Sequence, residues 1–180
     1  MKKLHYKDSN FKDDLKVLFE RPSYPAEIEA SVAEILAGVR EKGNKAIKKY
    51  AKMFDGAELK TSDFLVSEDE VRKASSKVDS DAKQAIKDAL NNVTDFARQR
   101  IPRPWSHSPR PGVVVGERYS PMDRVGVYIP GGAAPLVSTV IHTAGIAKAA
   151  GVPEIVAVTP PGEDGSVHPA VLYAMNKAGV

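Results

Sequence analysis

The sequence has no cysteine, one tryptophan and no apolar run approaching a membrane span. The first absence excludes a disulfide framework and any thiolate metal site, and it is compatible with a reducing cytoplasm. The lack of a long apolar run excludes a spanning helix, which needs about 20 apolar residues. Two lysines near the start, in MKKLHYKDSN, have no apolar segment behind them, so no secretory signal is read there. A strong excess of one charge is also missing: 26 basic against 23 acidic residues leave a net charge of +3, which does not call for nucleic acid. Catalytic signatures are missing too. His5, His107, His142 and His168 show no HxxH or HExxH spacing, and no GxSxG or GxGxxG occurs. What remains is a chain of 180 residues, 42% hydrophobic, large enough to bury a real core.

The stretch from Arg124 to Gly151 organises the rest. Val125, Val127 and Ile129 predict a strand, read as covered on both faces. Pro130 ends its ladder, and Gly131 and Gly132 permit a tight turn and close approach to the main chain. Pro135 suits a first helical position, and Leu136, Val140, Ala144, Ala147 and Lys148 follow at helical spacing. Helix N-terminal N–H groups behind a glycine loop favour an anion or a polar ligand.

Upstream, the chain reads as helical. Phe11, Leu15, Leu18 and Phe19 form a short helix ended by Pro22 and Pro25. Ile28, Val32, Ile35, Leu36 and Val39 make a helical stripe closed by Gly43, and Asn44 caps a further helix carrying Ile47, Tyr50, Ala51 and Phe54. An extended piece holds Leu59 and Phe64 to Val66. Ser67 to Glu70 is a capping box, and Asp79 or Ser80 starts a long helix with Ala82, Ile86, Ala89, Leu90, Val93, Phe96 and Ala97 on one side. Ile101 to Gly112 is proline-rich and reads as a connector; its arginines around Trp105 are offset in sequence and read as a solvated linker. Val113 to Val115 and Tyr119 predict a strand with a bulge or bend at Gly116, able to pair with the central strand. Glu154 to Thr159 is a short buried strand, which makes a βαβ unit with parallel strands, and a last helix runs from Pro169 to Ala178. The expected fold is α/β: a mainly helical subdomain over residues 1–100, a connector over 101–112, and an incomplete Rossmann-like βαβ domain over 113–180.

The run Val125-Gly-Val-Tyr-Ile-Pro-Gly-Gly132, followed by Ala134-Pro135-Leu136, Ser138-Thr139-Val140, Ala147-Lys148, Ala150-Gly151-Val152 and the pair Pro160-Pro161, resembles the N-terminal part of the histidinol dehydrogenase family. Gly43 to Ile47 and Tyr50 to Asp55 match family blocks as well, with Asn44 a departure at a capping position. The resemblance implies NAD- and zinc-dependent oxidation of L-histidinol to L-histidine, in a cytoplasmic homodimer. It places Tyr128 in the NAD site, with Pro130 and Pro160 as neighbours in the same pocket. The family's zinc ligands and catalytic Glu-His pair correspond to positions beyond Val180. The chain is therefore expected to be a truncated, N-terminal portion without catalytic or metal residues, inactive alone. Its alternatives are a stand-alone nucleotide-binding module and a protein-interaction module. Two positions depart from the family: Ala97 stands where a histidine is common and receives no role, and His142 replaces an apolar residue, facing solvent or a partner domain.

Overall fold

A computed structural model describes residues 3–19, 25–131 and 135–180. Pro22, Gly132, Ala134 and the side chain of Leu18 lie outside the described residues. The chain divides into two compact units, residues 1–46 and 47–180. Among the described residues no helix is long and apolar enough to cross a membrane.

The first unit carries α1 (Phe11–Phe19) and α2 (Ala26–Lys42). Helix α2 ends at Gly43, whose φ of 52° and N–H bond to the Val39 carbonyl stop it as the sequence predicts. Its stripe forms but stays open: Ile28, Val32 and Leu36 are each about half exposed.

The second unit holds the core. Helix α3 (Asn44–Tyr50), which begins in the first unit and enters the second at Ile47, runs into one π-helical turn, Ala51–Asp55. Thr61–Phe64 is a 3-10 turn rather than the expected extended piece, because the Lys60 N–H is bonded by the Asp63 carboxylate. Helix α4 (Glu68–Lys77) starts with the predicted capping box, in which Ser67 Oγ accepts from the Glu70 N–H at 3.3 Å and the Glu70 carboxylate accepts from the Ser67 N–H at 2.8 Å. Asp79 caps α5 (Ser80–Gln99) by accepting from the Ala82 N–H at 2.8 Å.

The Ser67 backbone N–H and, secondarily, its hydroxyl hold the Glu70 carboxyl below its ordinary 4.5. A depressed carboxylate contributes stability above the unfolded-state pKa and loses it as pH falls through the folded one. Glu70→Ala is therefore expected to cost a few tenths to about 1 kcal/mol at pH 7. In urea unfolding followed by circular dichroism, the gap from wild type should narrow below about pH 4.

The proline-rich stretch contains a strand where a connector is predicted. β1 (Trp105–Arg110) pairs antiparallel with β2 (Val113–Glu117), turning at Gly112 with φ 77°. β2 thus pairs with β1 and not with the central strand. The register irregularity falls between His107 and Arg110, not at Gly116. Gly116 is required for another reason: a Cβ there lies 2.2 Å from the Trp105 carbonyl oxygen. At the open end of the hairpin, Glu117 accepts hydrogen bonds from Tyr119 and from Trp105 Nε1, which hold its carboxyl below the ordinary range.

β3 (Arg124–Tyr128) and β4 (Glu154–Val158) pair in parallel, Val125 opposite Ile155 and Tyr128 opposite Val158, as the βαβ reading requires. Arg124 Nε lies 2.7 Å from Glu154 Oε2 at the amino ends of the two strands. The strands are covered on one face only, which corrects the two-sided expectation. Val125, Val127, Ile155 and Ala157 turn inward, while Tyr128, Val156 and Val158 are 62%, 45% and 59% exposed. The period of two was already present in Gly126 and Tyr128, which alternate with the valines.

The intervening helix starts at Val137, so Pro135 precedes it. It runs as α6 (Val137–Val140), a π-helical stretch Ile141–Gly145, and α7 (Ile146–Ala149). With α4, α5 and α8 (Pro169–Ala178) it covers the inner face of the sheet; Ile129, Val140, Ala144 and Ala178 are fully buried.

Candidate functional site

The two strands deliver their carboxyl ends side by side, the edge at which open α/β sheets place ligands. The Ile129 N–H donates to the Val158 carbonyl at 2.9 Å, extending the ladder one step past Tyr128. Pro130 cannot donate, so the chain leaves the sheet there. Gly131 then lies directly against Pro160: a Cβ at Gly131 falls 2.6 Å from Pro160 Cγ. The structure therefore brings Tyr128, Pro130 and Pro160 to one edge. Pro130 and Pro160 are half-buried, and the Tyr128 ring is open to solvent on the uncovered face of the sheet.

The predicted anion-binding helix start is not formed in the expected way. The Val137 N–H bonds the Pro135 carbonyl at 3.0 Å, and the Thr139 N–H bonds the Leu136 carbonyl at 3.1 Å, so these two donors are already satisfied. What the edge offers is an exposed aromatic face, a glycine that admits close approach to the main chain, and two rigid pyrrolidine rings. Such surfaces suit a flat ring stacked on Tyr128 more than a phosphate.

Among the described residues, no three His, Asp or Glu side chains come together to hold a metal ion. His168 is used structurally, its Nδ1 accepting from the Ala170 N–H at 3.2 Å at the start of α8. His142 is exposed, as its sequence context predicts. Its surroundings escaped the sequence reading. With Val93, Phe96, Ala97, Arg100 and Ile146 it lines a groove of about 570 Å³ between α5 and the 137–149 helix, away from the sheet edge. Phe96 is the readable signal: its spacing puts it on the apolar side of α5, yet it is 66% exposed.

The family model for histidinol dehydrogenase matches residues 20–180. A histidinol dehydrogenase from Symbiobacterium thermophilum is 41% identical over 160 residues, 89% of this chain and 36% of that protein. One from Methanosarcina mazei is 40% identical over 167 residues, 92% of this chain and 38% of that protein. The crystal structure of histidinol dehydrogenase from Elizabethkingia anophelis superposes with a TM-score of 0.83 at 34% identity, covering 93% of this chain and 39% of that one. The chain thus spans little more than a third of the length of these relatives. Sequence blocks, family match and superposition agree, and the chain belongs to the histidinol dehydrogenase family.

Proposed function

We propose that these residues supply one wall of a NAD site, serving the oxidation of L-histidinol to L-histidine that belongs to the whole-length proteins of the family. The carrying observation is the meeting of Tyr128, Pro130 and Pro160 at the carboxyl edge of a parallel strand pair, with Gly131 pressed on Pro160. Tyr128 stacks on a ring of the dinucleotide, and the two prolines give the edge a rigid rim with little conformational freedom to lose on binding. NAD, when bound, supplies the hydride acceptor. The family's zinc finds no ligand cluster among the described residues, and the base and acid of the reaction are not assigned to this chain. A reducing cytoplasm suits a chain without cysteine.

Titration with NAD should move the amide NMR signals of Tyr128 and Gly131, and Tyr128→Ala should weaken that response by about tenfold, the effect of losing about 1.4 kcal/mol. With L-histidinol added, this chain alone should produce no NADH absorbance. Shifts confined to other regions, or undiminished in Tyr128→Ala, remove the NAD wall; turnover by the purified chain overturns the reading that this chain alone is inactive.

A further inference from the structure

The groove between α5 and the 137–149 helix lies apart from the sheet edge, and what it can hold is independent of the NAD reading. The two helices touch closely at Gly145, where a Cβ would fall 2.7 Å from Leu90 Cδ1, and the groove opens beside that contact. Val93, Ala97 and Ile146 give it apolar walls, and the exposed Phe96 ring adds a flat one. Its volume of about 570 Å³ falls within the roughly 300–1,000 Å³ of small-molecule sites.

The polar side chains that reach this hollow are Asn92, Arg100 and His142, and among its described lining residues there is no carboxylate. None of the three side chains has a hydrogen-bond or ion-pair partner among the described residues, whereas the neighbouring Arg98 is matched by Asp95 at 3.0 Å. Arg100 lies over the Phe96 ring at 6.0 Å, which keeps its guanidinium beside the apolar wall with its N–H groups unspent. His142 belongs to the π-helical stretch Ile141–Gly145, and single π turns inside α-helices occur frequently at functional sites.

An unpaired guanidinium, an imidazole and a carboxamide around an apolar hollow match a carboxylate carried on an apolar body. The flat surfaces decide the shape of that body. The Phe96 ring and the guanidinium over it are both planar, so an aromatic ring gains a stacking contact that a branched aliphatic chain does not. Along α5 the site runs from Asn92 to Arg100, about 12 Å at about 1.5 Å per residue, which is room for one ring and a short carboxylate arm.

We propose that this groove is a binding site for a small aromatic carboxylate, its ring against Phe96, Val93 and Ile146 and its carboxylate held by Arg100, with His142 and Asn92 as further donors.

Titration of the full 180-residue chain with phenylacetate tests this, followed by the amide NMR signals of Phe96, Arg100 and His142, with circular dichroism confirming that each variant is folded. Phenylacetate should shift these signals saturably. Phenylacetamide keeps the ring without the charge, acetate keeps the charge without the ring, and each should bind about tenfold more weakly or worse. Arg100→Gln should weaken phenylacetate by about tenfold and leave phenylacetamide unchanged, so that the preference for the anion goes with the guanidinium. Ala97→Phe fills the groove from one wall and should abolish binding of both. Tyr128→Ala should bind phenylacetate as wild type does, so this site and the NAD wall stand or fall separately. The proposal is overturned by the absence of a saturable shift at millimolar phenylacetate, by acetate binding equally well (an adventitious ion only), or by shifts that map away from the groove. Anion preference kept in Arg100→Gln, or binding kept in Ala97→Phe, overturns it as well.

Discussion

Ile129→Ala should lower the unfolding free energy of the second unit by about 2–5 kcal/mol, a large share of the 5–15 kcal/mol typical of a folded domain. Ile129 has no exposed surface, and its N–H is held by the Val158 carbonyl at 2.9 Å, so the backbone cannot easily sink into the space left by the side chain. The cost is then the lost apolar transfer plus a cavity that stays open. Ile129→Val removes one methylene and should cost only about 0.5–1.5 kcal/mol. Equilibrium urea unfolding of the two variants checks the order. An alanine variant no worse than the valine one would show that this side chain is not sealed in the core. The position also anchors the step between Tyr128 and Pro130, so a loosened Ile129 frees the candidate site as well as the fold.

The helices and the parallel pair were legible because their signals are local and redundant. The Ser67–Glu70 box, the Asp79 cap and Gly43 each name a terminus by a specific hydrogen bond or a specific φ, independent of what packs nearby. The β3–β4 unit carried both strand composition and the loop that ends it. The hairpin was masked by its prolines: Pro109 lies inside β1, next to the register irregularity, where a missing N–H costs little. Its turn was nevertheless announced by Pro111-Gly112 ahead of three valines. One feature had no local signal: the π-helical stretch at Ile141–Gly145 has no composition of its own. The one-sided cover of the sheet did have one, in Gly126 and Tyr128 alternating with the valines. The candidate site shows the same division. Tyr128, Pro130 and Pro160 came from motif resemblance, while the contact of Gly131 with Pro160 joins residues far apart in the chain and needs the fold.

Gly145→Val is expected to destabilise by about 1–3 kcal/mol, against the direction that helix propensity alone predicts. Gly145 has φ −60° and ψ −41°, so its backbone suits any residue, and on an exposed helix a side chain there would gain up to about 1 kcal/mol. The reason for glycine is space. A Cβ at this position falls 2.7 Å from Leu90 Cδ1 and 3.7 Å from Thr94 Cγ2, where α5 crosses the 137–149 helix. Leu90 is itself buried, so its methyl cannot swing into solvent to make room. Valine adds two methyl groups to that contact and fixes them at χ1, leaving helix separation as the main route of relief. The cause is separable by a double-mutant cycle. Leu90→Ala alone should cost about 2–5 kcal/mol by leaving a cavity, but Leu90→Ala with Gly145→Val should cost less than the sum, with a coupling of about 0.5–3 kcal/mol as the valine fills the vacated volume. Strict additivity in urea unfolding would instead assign the glycine a backbone role, and with it a different account of why α5 approaches this helix so closely.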